Sequence, residues 1–475
     1  MSGQSFGNLY EEFIRLEDEK ELLDRKICGV YFWERVRFRI HQRLVEKLHP
    51  NEGGGDSGDG IDEYLSGAGL LLRNALFRNP YLGADTELVF YGTGRRKQLD
   101  DGLWWDIYLD PIIERVDKSY ECLERPYQIS HRKPAKTENL RYTDLIEYTG
   151  TLCEKLGVGT VLLSREDSTF LADIAAEIDS RFGVEIPLTN LVRRDLSRRR
   201  VRLPMFRQLL GRLSPEIAFL VTSYNGRETF VEACHLEDIP VVELQHGVIT
   251  KYHLGYSYPG GTKRVFPDYF FAFGDFWRET VDFPLPDGRI HSVGYPFLEQ
   301  RAKEYADERE TEQVVFISQS VIAEELSRFA VALADRDDHH QHIVYKLHPK
   351  EYDTWTKEYP WLQTADVEVV SDEVPLYQLL SESSAQIGVY STALFEGLYF
   401  DLDTYVLDLP GHEYLGPLLE LGCAKLISDP ADYATRQETN VNSFETDYFF
   451  ASKSPGDFVK SINDLGEARE DGYKT

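Results

Sequence analysis

The stretch VVELQHGVIT, residues 241–250, joins an apolar β-branched run to Gln245, His246 and Gly247. The apolar run predicts a strand buried inside a parallel sheet. In an open parallel sheet, ligands bind beyond the carboxyl ends of the strands. We therefore expect Gly247 to allow a tight exit turn and His246 to project into a ligand crevice, with Gln245 beside it. A histidine that only caps a turn is the alternative.

Short β-branched runs alternate with amphipathic stretches over most of the chain, which predicts an α/β protein with mostly parallel sheets covered on both faces. One series of predicted strands lies at 86–92, 158–164, 216–223, 239–245, 268–274 and 290–294, and a second at 312–319, 342–349, 367–371, 384–390 and 403–409. Two such series predict two doubly wound, Rossmann-like domains.

The N-terminal region has a different texture. Residues 8–48 carry apolar positions at helical spacing, and residues 51–60 (NEGGGDSGDG) have the composition of a flexible linker. We therefore predict a helical extension with its linker over 1–82, an N-terminal Rossmann-like domain over 83–299 and a C-terminal Rossmann-like domain over 300–475.

Length and charge limit the class of protein. A chain of 475 residues with 42% hydrophobic content is long enough for two cores. Its net charge of −29 opposes binding to bare nucleic acid, so no nucleic-acid partner is expected. The acidity suits a protein of a high-salt cytoplasm and predicts a halophilic archaeal source. An ordinary acidic protein is the alternative.

The cysteines and the N-terminus predict the compartment. The five cysteines lie far apart without a CxxC pair or metal-ligand spacing, so we expect reduced structural thiols and no zinc site. The N-terminus lacks the basic and apolar segments of a signal peptide, and no apolar run is long enough to cross a bilayer. A cytoplasmic protein without metal or cofactor is the expectation.

A cluster of cations ends one strand of the second series. In VYKLHPKE, residues 344–351, the apolar run leads to Lys346, His348, Pro349 and a further lysine. Proline cannot continue the strand, so the chain leaves the sheet directly after His348. Cations at this rim would neutralise a departing diphosphate without a metal ion. A solvated group of surface charges is the alternative.

A second polar strand end follows in SAQIGVYSTALFEGLYFD, residues 384–401. Ser391 and Thr392 stand between the strand and an apolar helix, where their hydroxyl groups cap free backbone amides that also receive phosphates. Glu396 lies one turn into the helix. We expect it to face the crevice and accept hydrogen bonds from a ribose.

The ordered series QHG, VGYPF, VVFIS, KLHP and VYSTALFEG resembles the GT-B glycosyltransferases that build bacterial surface polymers. These include teichoic acid glycerophosphotransferases, capsule transferases, and sialyl- and polysialyltransferases. The resemblance covers roughly residues 215–410 and rests on order and spacing. It implies that the C-terminal domain binds the nucleotide-sugar donor through His348, Ser391 and Thr392, and that the N-terminal domain binds the acceptor with His246 as a catalytic residue.

Two departures from the family pattern concern the acceptor half. Gln245 stands where the glycerophosphotransferases typically carry tryptophan, which implies a different acceptor. The sequence LDDG, residues 99–102, is similar to the motif whose acidic pair supplies the general base in sialyl- and polysialyltransferases, which implicates Asp100 and Asp101. An acidic turn is the alternative, and Asp106 is a rival base.

The next residues, LWWDIYLDP at 103–111, supply two more candidates. Asp110 is a second rival for the general base. Trp104 either stacks on an acceptor sugar or packs in the core.

Residues 193–212 are basic in an otherwise acidic chain, with eight arginines among interleaved apolar residues. Such a pattern predicts peripheral docking on an anionic membrane through Arg198, Arg199, Arg200 and Arg202. Pairing of these arginines with carboxylates of the protein itself is the alternative.

Together these features predict a metal-independent, inverting glycosyltransferase, or a related phosphoglycosyl-type transferase. It would move a sugar from a nucleotide-activated donor to a lipid-linked or glycan acceptor in surface-polysaccharide or protein-glycan assembly. A nonhydrolysing sugar-nucleotide 2-epimerase and a non-catalytic scaffold of glycan assembly are the alternatives. No P-loop or GxGxxG pattern follows the first strand, which disfavours an ATPase and a dinucleotide oxidoreductase.

Overall fold

The computed structural model describes residues 6–48, 74, 76–127, 130–305, 312–434, 446–452 and 460–462. Within these ranges the chain forms a parallel sheet of seven strands, a parallel sheet of six strands and two short antiparallel hairpins. The predicted linker at 51–60 lies outside the described residues.

The strands in chain order are β1 (Lys26–Ile27), β2 (Val30–Tyr31), β3 (Leu88–Gly92), β4 (Lys97–Gln98), β5 (Trp104–Trp105), β6 (Tyr120–Glu124), β7 (Leu140–Tyr142), β8 (Ile217–Val221), β9 (Val241–Leu244), β10 (Tyr269–Ala272), β11 (Ile290–Ser292), β12 (Gln313–Ile317), β13 (His342–Lys346), β14 (Glu368–Val370), β15 (Ala385–Gly388), β16 (Asp403–Leu407) and β17 (Lys425–Ile427).

The α-helices are α1 (Phe6–Glu19), α2 (Trp33–Leu48), α3 (Asp110–Ile113), α4 (Asp144–Lys155), α5 (Arg165–Phe182), α6 (Leu188–Leu213), α7 (Glu228–Leu236), α8 (Asp275–Glu279), α9 (Pro296–Glu304), α10 (Ala323–Ala334), α11 (Trp355–Glu358), α12 (Leu376–Glu382), α13 (Thr392–Leu398), α14 (Gly416–Glu420) and α15 (Pro430–Ala434). Short 3-10 turns lie at Pro80–Leu82, Asp287–Arg289, Pro360–Gln363, His412–Leu415 and Thr446–Tyr448.

The first sheet has the order β11-β10-β9-β8-β3-β6-β7, with every neighbouring pair parallel. Along β3, Leu88 and Phe90 belong to the core on one face, whereas Val89 and Tyr91 belong to the core on the other. The strand is buried on both faces because successive side chains point to opposite sides. The strand order reverses at β3, which lies between β6 and β8.

The second sheet has the order β14-β13-β12-β15-β16-β17 and is also parallel throughout. Its strand order reverses at β12, which lies between β13 and β15. Apolar packing joins this domain to the first, since Trp277 of α8 lies with its ring centroid 4.7 Å from that of Phe395 in α13. Two Rossmann-like domains in contact confirm the predicted α/β class and the GT-B arrangement.

The N-terminal extension packs on the first domain. Leu9, Phe13 and Leu16 of α1 are fully buried and lie on one face, because their spacing matches the helical repeat. They join a core with residues of α5 and α6. The buried pair Arg37–Glu17, with 2.6 Å between Nη2 and Oε2, ties α2 to α1. This packing brings α2 to the carboxyl edge of the first sheet.

The end of the described chain returns to the first domain, although the sequence assigns it to the second. The backbone N–H of Ala451 donates to Phe273 O at 2.7 Å, and the Trp277 indole donates to Phe449 O at 2.7 Å. The predicted boundary misses this return because residues 446–452 carry no strand or helix pattern that would indicate their partner.

The strand predictions differ from the structure at a few positions. Residues 160–164 run outside both sheets, and the N–H of Val161 donates to Ser197 Oγ on α6 instead of to a strand. The sequence missed β6, β7 and β17 of the two parallel sheets and the four hairpin strands β1, β2, β4 and β5. In β6 the apolar pattern is broken by Glu121 and Glu124, which are buried because Arg141 and Arg96 pair with them. Charges neutralised only after folding hide such a strand from pattern analysis.

We predict that Gly274→Ala weakens the attachment of residues 446–452. A Cβ atom at Gly274 would lie 2.4 Å from Tyr448 O and 2.6 Å from Phe449 O, so the returning backbone must shift. We expect a loss of about 1–3 kcal/mol in the free energy of unfolding, measured by calorimetry and denaturant titration. Gly288→Ala is the control, because nothing lies within 4 Å of a Cβ there. Equal stability of the two variants would contradict the prediction.

Candidate active site

A cavity of about 580 Å³ lies at the carboxyl edge of the first sheet, around the point where its strand order reverses. The loops that follow β3, β6, β8 and β9 converge here, and α2 of the extension contributes one wall. The polar lining residues are Gln42, Thr93, Arg95, Tyr108, Arg125, Tyr127, Thr222, Tyr224, Asn225, Arg227, His246 and His253. The cavity therefore lies beyond the carboxyl ends of the strands, where ligands bind in open parallel sheets. His246 lines this cavity, as predicted from the sequence.

His246 is held by tyrosine hydroxyl groups on both sides of its ring. Tyr224 Oη lies 3.2 Å from Nε2 and Tyr256 Oη lies 3.1 Å from Nδ1. Tyr108 donates to the His246 carbonyl at 2.6 Å, which fixes the backbone. Three hydroxyl groups thus determine the position and the orientation of this imidazole.

The neighbours of these hydroxyl groups determine the direction of each hydrogen bond. Tyr256 donates to Glu243 Oε1 at 2.6 Å, so its oxygen accepts from His246 Nδ1–H. At the other end, the N–H of Gly255 donates to His253 Nδ1, so His253 carries its proton on Nε2 and donates it to Tyr224 Oη at 3.3 Å. Tyr224 then donates to His246 Nε2. The tautomer of His246 therefore leaves the lone pair of Nε2 as the basic group.

Electrostatics keep both histidines neutral. Burial lowers the pKa of His246 to about 3, and the positive charges of Arg227 and Arg95 oppose its protonation together with His253. Burial also lowers the pKa of His253 to about 4. A neutral His246 is the form that accepts a proton from a substrate.

Gln245 and Gly247 serve the turn that positions His246. Gln245 is buried, accepts from the N–H of Phe273 at 2.8 Å and donates to Gly247 O at 2.8 Å. It therefore ties the loop after β9 to β10 instead of lining the cavity. A Cβ atom at Gly247 would lie 3.5 Å from Thr392 Oγ1, so the loop of the first domain directly approaches the second domain.

The loops after β12, β13 and β15 meet at the carboxyl edge of the second sheet, on either side of its reversal point. The N–H of Tyr390 donates to Gln319 Oε1 at 3.3 Å, and the N–H of Ser318 donates to Lys346 O at 3.0 Å. His348 and Ser391 therefore lie at the same edge of the second sheet. The strands that precede them, β13 and β15, are separated by β12. Binding of a donor by these two residues stays a prediction.

His348 is oriented by its own loop. Its backbone N–H donates to Glu351 Oε2 at 2.6 Å, and Pro349 forces the exit from the strand. The N–H of Lys350 donates to His348 Nδ1 at 3.3 Å, which places the ring proton on Nε2. Burial, with Lys350 nearby, lowers the pKa of this histidine. A neutral imidazole with Nε2–H is a hydrogen-bond donor suited to a phosphate oxygen.

Lys346 has a different role from the one predicted. Its ammonium donates to Ser371 O and, at 2.7 Å, to Val374 O. It therefore holds the loop after β14. Burial lowers its pKa to about 8, and Lys97 adds to the shift.

Ser391, Thr392 and Glu396 lie at the domain contact. Ser391 Oγ accepts from the N–H of Ala393, as predicted for a helix cap. Burial raises the pKa of Glu396 to about 7, against the attraction of Lys97 from the first domain and a hydrogen bond with Tyr377. Glu396 therefore faces the first domain, and contact with a ribose stays a prediction.

A second cavity, of about 380 Å³, lies between the domains. The second domain contributes Tyr390, Thr392 and Tyr414. The first contributes Val248, Thr250, Tyr252 and His253, and α2 forms the remaining wall. This cavity shares Phe38, Gln42 and His253 with the larger one. The two cavities therefore adjoin, and together they lead from His246 to Thr392.

The acidic pair of LDDG does not reach the cavity. Asp101 accepts from the N–H of Leu103 at 2.9 Å and from the Trp105 indole at 3.0 Å, which lowers its pKa. Asp100 is exposed and contacts Arg301 at 3.4 Å. Both residues belong to an acidic turn between β4 and β5. Such a turn was the alternative to a general base at this position.

The neighbouring candidates also serve the structure. Asp106 is buried, accepts from the N–H groups of Tyr108 and Leu109, and has a pKa raised by burial. Asp110 accepts from Thr137 and Arg96. Trp104 pairs in a hairpin and lies under the guanidinium of Arg132, outside the lining of the cavity.

Three of the four arginines predicted to dock on a membrane are engaged within the protein. Arg198 pairs with Glu154, Arg199 with Glu232, and the buried Arg202 with Glu147. Pairing with carboxylates of the protein itself was the alternative to membrane docking. The fourth arginine, Arg200, is exposed. None of the helices in the described ranges is long and apolar enough to cross a bilayer. Membrane contact stays a prediction.

Sequence reasoning missed most of the groups around His246. Tyr224 and Arg227 lie in the loop after β8, Arg125 directly follows β6, and His253 and Tyr256 lie in the loop after β9. Polar residues after a strand were the available signal, the same one that indicated His246. Within the described ranges, no three His, Cys, Asp or Glu side chains come together as metal ligands.

No protein-family model and no curated protein matches the chain. Solved structures similar to it include the UDP-GlcNAc 2-epimerase of Methanocaldococcus jannaschii, with 11% identity, a TM-score of 0.46, and coverage of 80% of this chain and 99% of that one. The glycosyltransferase SnogD of Streptomyces nogalater has 12% identity, a TM-score of 0.44, and 80% and 100% coverage. The wall teichoic acid polymerase TagF has 12% identity, a TM-score of 0.41, and 89% and 100% coverage.

We predict that the folded protein loses stability in acid, because the fold keeps the half-buried His246 and His253 neutral. His246 and His253 have folded pKa values of about 3 and 4, below the ordinary 6.5. Between pH 6.5 and 4 the unfolded chain therefore binds more protons, so stability falls as the pH is lowered. Each histidine contributes at most about 1.4 kcal/mol per pH unit.

Calorimetry of His253→Gln between pH 7 and pH 5 provides the measurement. We expect its thermal midpoint to fall less steeply than that of the wild type, because one half-buried, neutral imidazole is gone. His340→Gln, at an exposed position, should keep the steeper decline. Identical slopes for all three proteins would show that His253 is not held neutral by the fold.

Proposed function

We propose that the protein is a glycosyltransferase that uses a nucleotide-activated sugar, with the donor bound by the second domain and the acceptor by the first. One observation carries this proposal. A histidine oriented as a neutral base at the strand ends of one sheet faces the strand ends of another across adjoining cavities. Binding at the switch points of two doubly wound sheets brings two substrates together.

His246 is the proposed general base. The acceptor hydroxyl would transfer its proton to Nε2 of His246, in the place that Tyr224 Oη occupies. The acceptor oxygen then forms a bond to the anomeric carbon, and the bond between that carbon and the nucleotide phosphate oxygen breaks. The electron pair leaves with the nucleotide. Attack on the face opposite the leaving group would invert the anomeric centre.

The donor side supplies groups that stabilise the leaving nucleotide. His348 offers Nε2–H, and Ser391 and Thr392 offer hydroxyl groups at the start of α13. Such donors act on developing negative charge and are typically worth about 10²- to 10³-fold in rate each. We expect a reaction that needs neither a metal ion nor a cofactor.

The epimerase alternative is not favoured by the lining of the cavities. A 2-epimerase needs acidic residues on both sides of C2 of the bound sugar. The larger cavity has no Asp or Glu among its described lining residues, and the smaller one has only Glu46. The acceptor is proposed to be a lipid-linked or glycan species of surface-polysaccharide or protein-glycan assembly, met on the cytoplasmic side.

We predict that His348→Gln and Ser391→Ala each weaken nucleotide binding by about tenfold or more, because each removes a hydrogen bond to a charged phosphate. Thermal-shift screening with UDP, CDP, CMP and GDP in molar salt would identify the base, and isothermal titration would give the affinities. His342→Gln is the control, since His342 begins β13 at the opposite edge of the sheet. Absence of binding by all four nucleotides would favour the non-catalytic scaffold.

We predict that His246→Asn lowers the rate of donor hydrolysis in the absence of acceptor by about 10²- to 10⁴-fold, because water then lacks its base. Nucleotide affinity should stay unchanged, since His246 belongs to the other domain. The nucleotide sugar that corresponds to the bound base is the substrate. With UDP-N-acetylglucosamine, formation of the 2-epimer by the wild type would instead favour the epimerase.

A further inference from the structure

Three arginines surround the cavity of the first domain. Arg95 follows β3, Arg125 follows β6 and Arg227 follows β8, so that neighbouring strands each deliver one guanidinium to the same edge. Asn225 and Tyr127 line the cavity beside them. Guanidinium groups that converge in this way match the geometry of a phosphate.

Arg227 is almost completely buried, with 5% of its surface exposed, and yet has no carboxylate partner among the described residues. It donates to the carbonyl oxygens of Val221, Thr222 and Gly92, while its Nε–H has no acceptor. Burial and the neighbouring Arg125 lower its pKa. Neutral carbonyl oxygens satisfy some of its N–H groups, and Glu147 attracts its charge only from beyond ion-pair distance.

The other buried arginines in the described part of the chain are paired with carboxylates within 4 Å. These pairs are Arg35–Asp195, Arg37–Glu17, Arg96–Glu124, Arg202–Glu147 and Arg301–Glu304. The chain has a net charge of −29, so carboxylates are in excess over cations. Three arginines that meet at one cavity without such a partner therefore indicate an anion that arrives from outside.

Arg95 and Arg125 complete this cationic wall. Arg95 is exposed and lies over the ring of Tyr127, at 5.5 Å. Arg125 donates to Asn225 O at 3.2 Å. Burial opposes the charge of Arg125, but attraction from beyond 4 Å by Glu147, which pairs with Arg202, and by Glu228 raises its pKa. In the described part of the chain no carboxylate lies within 4 Å of either guanidinium.

We propose that Arg95, Arg125 and Arg227 form a phosphate site for the acceptor, so that the acceptor is a phosphorylated sugar or polyol. The inference rests on the proposed function and names the class of its acceptor. Every lining residue described for this cavity belongs to the first domain or to α2, whereas the donor groups lie on the second domain. A cavity of about 580 Å³ lies within the range of about 300–1,000 Å³ typical of small-molecule sites.

The site also links acceptor binding to the base. The positive charges of Arg227 and Arg95 help to lower the pKa of His246, so a bound phosphate that neutralises them would raise it. His246 would then become a stronger base only when the acceptor is in place. Hydrolysis by water, for which His246 stays the weaker base, would therefore be slower than transfer to the acceptor.

Binding of glucose 1-phosphate, with glucose as the uncharged match, tests the site by isothermal titration at low ionic strength. We expect glucose 1-phosphate to bind the wild type and glucose to bind at least about tenfold more weakly. The double variant R95Q/R125Q should lose the preference for the phosphate. Arg212→Gln is the matched control, since Arg212 is exposed at the end of α6, at the opposite edge of the sheet.

Several outcomes would overturn the proposal. Equal binding of glucose 1-phosphate to the wild type and to R95Q/R125Q would exclude the arginine site. A parallel loss of UDP binding in R95Q/R125Q would assign the anion to the donor diphosphate. If the double variant does not fold, as judged by circular dichroism, the exposed Arg95→Gln alone gives the same comparison.

The same titrations separate this inference from the proposed function. His348→Gln and Ser391→Ala should weaken nucleotide binding and leave glucose 1-phosphate binding unchanged. If no nucleotide binds but the phosphate preference depends on the arginines, the transferase proposal fails and the anion site stands.

Discussion

Parallel pairing is the constraint on which the site depends. In both sheets every described neighbouring pair is parallel, so the loops that follow the strands emerge at one edge. Arg95, Arg125, Arg227 and His246 lie far apart in the sequence, yet each follows a strand of the first sheet. The same rule brings the loops of His348 and Ser391 to one edge of the second sheet. The arrangement of residues around the cavity is therefore a consequence of strand direction.

Hydrogen bonds then determine which ring nitrogen of His246 carries the proton. The chain of donors from His253 through Tyr224, His246 and Tyr256 to Glu243 has one direction, because a backbone N–H fixes its first member and a carboxylate ends it. The direction selects the tautomer of His246. Burial keeps the imidazole neutral and lowers its basicity most, and His253, Arg227 and Arg95 lower it further. A phosphate in that cavity would therefore affect binding and reactivity together.

Several charged residues that look like site residues in the sequence have partners within the folded protein. Arg198, Arg199 and Arg202 look like a free basic surface in the sequence but pair with glutamates once α6 is packed. Asp101 looks like a base, although its oxygens are occupied by the turn that contains it. Pairing across the fold cannot be deduced from spacing along the chain, because the partners come from elements distant in sequence.

The sequence alone determined the fold class, the two parallel sheets and the strand ends at which His246, His348 and Ser391 lie, because apolar periodicity and polar strand ends are local signals. Tertiary structure decided which cations stay free, which tautomer His246 adopts and that α2 and residues 446–452 belong to the first domain. Those features depend on contacts between distant segments. Burial and pairing exist only after the chain has folded, and they select among the groups that the sequence places near the edge.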